Sequence, residues 1–189
     1  MTTIATAESA RRLAEAMARA KAMQFNQPAQ RTYEELSAES DLSLEERLFD
    51  VRAACKIEAR KFSMLFEPDW HKKLFRQLDL LMDPEEWDSE DSPVSKNSFI
   101  TFIRMSMILR NARRPGIGIA NDGHILATWS IRRNDRLTVE CLPQDRVRWI
   151  VSVPLKEETE SAAGVTSLHR LLANLEPYKP EHWFAHERG

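Results

Sequence analysis

The chain has 189 residues, 42% of them hydrophobic and 30% charged, with 27 Lys and Arg set against 29 Asp and Glu. That is material for one domain with an ordinary buried core, and the net charge of −2 excludes a global nucleic-acid-binding field while leaving room for local basic patches. No apolar run approaches the roughly 20 residues that span a bilayer, the N-terminus lacks the apolar stretch of a signal peptide, and Cys55 and Cys141 fall at apolar positions, so a cytoplasmic protein with reduced thiols is expected.

Residues 5–25 are rich in Ala, Arg, Glu and Met, good helix formers, with Leu13, Met17 and Ala20 as a thin apolar stripe. Such a helix has little to bury and reads as an arm, and residues 1–40 are expected to be helical arm and linker. Residues 41–176 are expected to form a single domain. Ser43 and Glu46 fit a capping box that opens a helix over about 43–66, with Leu44, Leu48, Val51, Cys55, Phe62 and Phe66 on one face. Asp69 can cap a second helix over 69–82, in which Trp70, Leu74, Leu78, Leu81 and Met82 are apolar. An acidic loop around Trp87 follows. Ser92 and Pro93 supply the N-cap and first turn of a third helix, 93–111, with Phe99, Phe102, Ile103, Ser106 and Leu109 facing inward.

From 115 to 153 the apolar period changes to two, the signature of an antiparallel β-meander, here of four strands. Ile117, Ile119, Ile125, Ala127, Trp129, Ile131, Leu137, Val139, Cys141, Val147, Trp149, Val151 and Val153 share one face. His124, Thr128, Ser130, Arg136, Thr138, Glu140, Arg146, Arg148 and Ser152 share the other, with Leu126, Leu142 and Ile150 as apolar exceptions. Asn121-Asp122-Gly123 suits a three-residue hairpin loop with Gly123 left-handed, which pairs Ile119 with Ile125. The same rule applied to the next two turns sets Trp129, Val139 and Trp149 side by side. It also lines up Thr128, Glu140 and Arg148, the last two as a cross-strand ion pair worth no more than about 1 kcal/mol when exposed. Helices must cover the aromatic face. The fold class is therefore α+β, followed by a polar KEETESAAG loop, a short helix over 167–175 and a Pro-rich tail, 177–189, carrying Trp183 and Phe184.

Few residues suggest chemistry. His124 and Glu140 could form an acid–base pair, but no nucleophile is evident beside them and an exposed hairpin excludes water poorly. His182 and His186 have metal-like spacing, yet two ligands do not make a site. The five glycines form no phosphate-cradling loop. No catalytic residue, cofactor or metal site is therefore expected. Arg113, Arg114, Arg132, Arg133 and Arg148 are candidate anion contacts, weighed against the preference of cations for helix C-termini and strand edges.

Trp87, Pro93, Pro115 with Ile117, Asp122-Gly123, Trp129 and the run Leu137 to Glu140 together resemble a pattern in many small uncharacterised bacterial proteins. The likeness covers residues 87–152 and implies a fold but no activity. Gln77-Leu78-Asp79-Leu80-Leu81 resembles the peptide by which bacterial proteins bind the replicative sliding clamp. The resemblance implies that Gln77 hydrogen-bonds at a pocket rim while Leu78, Leu80 and Leu81 fill apolar subsites. Such peptides bind extended, whereas these leucines sit on a helix stripe, so core packing is the favoured reading.

The expectation is a non-enzymatic protein working through protein–protein interaction, with a partner or its own copy, in dependence on a neighbouring gene product. The under-buried arm and the aromatic tail motivate it. The alternatives are a toxin-like or regulatory protein acting on replication or nucleic acid, and an enzyme or small-ligand binder whose site is spread along the chain. No membrane partner is expected.

Overall fold

A computed structural model describes residues 42–87, 92–109, 112–132, 134–155 and 158–185. The N-terminal arm, Arg133 and His186 lie outside them. Within them the chain is α+β: a five-stranded antiparallel sheet with its helices packed on one face. No described helix is long and apolar enough to cross a membrane.

Helix α1 (Leu44–Lys61) opens on the expected capping box. Glu46 N–H donates to Ser43 Oγ at 3.2 Å and Ser43 N–H donates to Glu46 Oε2 at 2.8 Å. The bonds from Ser43 hold the Glu46 carboxyl below the usual carboxylate range. The helix stops at Lys61 rather than running to 66, and a 3-10 turn at Ser63–Leu65 leads to extended Phe66. Pro68 disfavours helical geometry in the residue before it, so α2 (Pro68–Leu81) starts with Glu67 as its N-cap residue and Pro68 in the first turn. Asp69, expected as the cap, lies inside that turn. Its carboxyl is held low chiefly by the hydrogen bond from Lys73.

Helix α3 is Lys96–Ile108, capped by Ser95 and not by Ser92. The reason is the hairpin beside it. Ser95 N–H donates to the Gly123 carbonyl at 2.8 Å. The Gly123 backbone comes so close to Pro93 that a Cβ there would meet the Pro93 oxygen at 2.3 Å. Residues 92–95 are thereby held against the turn and cannot enter the helix.

The strands are β1 (Gly116–Ile119), β2 (Ile125–Arg132), β3 (Asp135–Leu142), β4 (Arg146–Leu155) and β5 (Glu158–Ser167), each paired with its neighbour in sequence. Four strands were expected. The fifth comes from the KEETESAAG segment, expected as a polar loop, whose Ser161, Ala162, Ala163 and Gly164 carry little strand signal. Trp149 lies against β5 at Gly164, where a Cβ would sit 2.8 Å from its Cζ2, so this position of the strand requires glycine.

The first hairpin is as expected: Ile119 pairs with Ile125, and Gly123 has φ 78°. The third also holds, with Val139 opposite Trp149 and Glu140 opposite Arg148. Its turn is paid for by two non-glycine left-handed residues, Gln144 and Asp145 at φ 62° and 56°. Arg104 braces Asp145 from α3, reaching its two carboxylate oxygens at 2.8 and 2.7 Å. The second register differs from expectation. Trp129 faces Leu137 and Thr128 faces Thr138, two residues from the places assigned by a three-residue loop. The turn is shorter, with Arg132 opposite Asp135, and a bulge between Ser130 and Arg132 takes up the extra residue. Because the slip is two and not one, every side chain keeps its face.

All the residues assigned to the dry face belong to the core or pack against it. α3 lies against β2 and β3, α1 against α3, and α2 against α1. The C-terminal segment closes the layer. α4 (Leu171–Leu175) packs on β5 and α5 (Glu181–Phe184) on β2. Trp183 is wholly buried, and Phe184 meets the Trp129 ring edge-on with centroids 5.1 Å apart. Buried Asp135 accepts from Trp183 Nε1 at 3.2 Å and lies 2.6 Å from His182 Nε2. The aromatic tail is thus core, and Trp183 and Phe184 present no surface to a partner.

Candidate functional site

The outer face of the sheet carries one group of converging polar side chains. Glu140, in the middle of β3, is only 8% exposed although it points away from the helices. A buried carboxylate is costly unless it is paired and hydrogen-bonded, and Glu140 is held on both oxygens. Arg148 Nη1, from β4 directly opposite, donates to Oε2 at 2.7 Å. His124 Nδ1, at the exit of the first hairpin, lies 2.9 Å from Oε1.

Asp122, in the hairpin turn, completes the group. Its Oδ1 accepts from the His124 backbone N–H at 3.2 Å, the local bond typical of an Asx turn. Its Oδ2 lies 2.9 Å from the same His124 Nδ1 that faces Glu140. The three ligand atoms of Asp122, His124 and Glu140 fall within 4.8 Å of one another. A ring nitrogen between two carboxylate oxygens serves there as a hydrogen-bond donor or coordinates a cation. That leaves Nε2 as the other ring nitrogen of His124. Among the described residues no hydroxyl or thiol is hydrogen-bonded to it. The thiols are no substitute, since burial pushes the Cys55 thiol up to about 12 and raises that of Cys141 as well.

No family model, curated protein or solved structure matches this chain. Its function has to be read from its own surfaces.

The candidate anion contacts are not gathered in one place. Arg148 is committed to Glu140 on the outer face. Arg114 donates to Glu67 at 2.9 Å and lies 3.9 Å from Asp69. Arg113 and Arg114 border a cleft of about 220 Å³ between α2, α3 and β2, where Phe66 stacks on Trp70 at 4.0 Å. The Arg113 carbonyl accepts from Trp129 Nε1 at 2.6 Å and its N–H donates to the Phe184 carbonyl at 2.7 Å. Arg132 is exposed at the end of β2.

The clamp-like string lies in the last turns of α2. Leu78 is fully buried, Leu80 is 66% exposed, and Gln77 and Leu81 are half-buried. Engaging all three leucines at once would require this part of α2 to unwind and Leu78 to leave the core.

Sequence reasoning paired Glu140 with Arg148 and saw the possible His124–Glu140 contact, but it missed Asp122. The signal was present in Asp122-Gly123-His124, where the turn brings residue 122 back beneath the side chain of 124. It became legible only once the strand that carries Glu140 was in register.

Proposed function

We propose that this chain is a binding protein, not a catalyst, and that it presents the outer face of its sheet to an acidic protein partner. The observation that supports this reading is the state of that face. No described element covers it, and Ile150 and Val165 remain 48% and 50% exposed on adjacent strands. Arginines surround them. Arg136 and Arg146 are exposed and make no ion pair among the described residues, while Arg148 is half-exposed with its inner edge on Glu140. Exposed aliphatic side chains rimmed by arginines are the composition of a protein-binding patch.

Charge selects the partner. Arg136, Arg146 and Arg148 outnumber the two carboxylates of this face, Glu140 and Asp122, and Glu140 is largely buried, so the face carries a net positive charge that favours an acidic partner over a second copy of itself. Nucleic acid would meet the same charges, but the outward positions of the strands hold no Phe, Tyr or Trp on which a base could stack.

The test uses two outward substitutions, Ile150→Asp and Arg146→Glu, that leave the helical side untouched. Wild-type protein captures an acidic protein from its native lysate in a salt-sensitive manner, and each variant loses that same protein while keeping its circular dichroism and melting temperature. Capture that is indifferent to both substitutions, or a partner that is a nucleic acid, overturns the reading.

A further inference from the structure

We propose that Asp122, His124 and Glu140 form a site for a divalent transition metal of the zinc type. This goes beyond the partner-binding reading and does not rest on it. The argument begins with how each carboxylate is held. One oxygen of each is occupied by a positioning partner: Asp122 Oδ1 by the His124 backbone N–H, and Glu140 Oε2 by Arg148. The other oxygen of each is free of those partners and aimed at His124 Nδ1, at 2.9 Å in both cases. Outer-shell bonds of this kind are what orient the ligands of metal sites.

The spacing fits with little adjustment. Tetrahedral zinc with ligands at about 2.0–2.1 Å separates adjacent ligand atoms by roughly 3.3–3.4 Å. The two nitrogen–oxygen separations of 2.9 Å therefore need to open by about 0.4–0.5 Å. Asp122 can provide that opening, because its side chain is 56% exposed in a turn. The His124–Glu140 separation opens by a small turn of the imidazole, which at 19% exposed has more room than the Glu140 side chain at 11%.

The donor set selects the class of ion. One imidazole with two carboxylates suits zinc, cobalt, nickel or iron, whereas magnesium and calcium prefer oxygen alone. Two carboxylates balance a dication, and Arg148 tempers the excess negative charge before the ion arrives. Three protein ligands leave the solvent side of the hairpin for water, the arrangement of an open zinc site.

The experiment takes the full chain, stripped with chelator, and titrates it with Zn²⁺ by calorimetry and with Co²⁺ by visible absorption. One ion per chain is expected, with ligand-field bands that report a low coordination number. His124→Ala and Asp122→Asn should each weaken binding at least about tenfold, the size of effect that loss of a ligand or its support produces. Asp122→Asn is the more telling variant. Asn can keep the turn bond to the His124 backbone, so the fold is preserved while the charged ligand is lost. Absence of saturable binding, or binding unchanged in both variants, overturns the proposal and leaves a hydrogen-bonded cluster with a purely structural role.

Discussion

Gly164 lies against the face of Trp149, so close that a methyl group in place of its hydrogen would sit 2.8 Å from Cζ2 and 2.9 Å from Cε2 of the indole. Trp149 is 7% exposed and cannot swing aside freely. Gly164→Ala should therefore destabilise the protein by about 1–3 kcal/mol, the usual cost of overpacking. Combining it with Trp149→Phe, which makes room, should cost less than the sum of the two single changes in urea unfolding. Simple additivity would show that the contact is not limiting.

A second prediction concerns Ser98, which is fully buried where α3 crosses the sheet. Its hydroxyl donates to the Cys141 carbonyl at 2.5 Å and accepts from the Ile125 N–H at 2.8 Å. Ser98→Ala leaves both backbone groups without this bridge in a dry place. A loss of about 1–3 kcal/mol is expected by chemical denaturation, with faster amide exchange at Ile125.

Trp183 should behave as a core residue. Trp183→Ala removes a wholly buried indole and leaves Asp135 without one of its donors. The expected cost is about 3–5 kcal/mol, which lowers Tm by on the order of 10 °C in a chain of this size. A Tm within a degree or two of wild type would mean that the segment is only loosely docked.

The two thiols give a pH prediction. Burial is the largest cause of both upward shifts, with Glu58 adding to it for Cys55 and Glu140 for Cys141. From 9.0 to about 12, the Cys55 shift alone reduces the thiolate fraction near neutral pH by about 10³-fold. Neither cysteine should react with a thiol reagent at pH 8 until denaturant is added. Above pH 9 the unfolded chain loses thiol protons that the folded one keeps, so the folded state binds more protons and stability falls as pH rises toward 12. A melting temperature that rises from pH 9 to pH 11 would contradict this.

Much of the fold was legible because period-two patterning and turn chemistry act locally. Asn121-Asp122-Gly123 set the first hairpin, and the faces of β2, β3 and β4 followed from alternation alone. What escaped depended on contacts between distant segments. β5 was missed because the run Ser161 to Gly164 carries little strand signal, and the reason for its glycine, the Trp149 ring, lies on another strand. The start of α3 is set by Gly123, nearly thirty residues further on. The β2–β3 slip turned on a bulge, which moves the register without changing which residues are apolar. The site suffered in the same way: His124 and Glu140 were legible as a pair, but Asp122 reads as a turn residue in sequence and is both a turn residue and a polar neighbour in space.

The pinning of α5 has a consequence for how the molecule is made. Each strand of the meander pairs with the one just synthesised, so the sheet can assemble as it leaves the ribosome. Asp135 must wait 48 residues for Trp183, and the Arg113 N–H must wait longer still for the Phe184 carbonyl. During that interval Trp129 lacks its cover and the nascent sheet has an open greasy flank. Closure of the described core is thus tied to the emergence of the turn that carries Trp183 and Phe184, and a ribosome stalled before residue 183 would hold out a chain suited to capture by a chaperone.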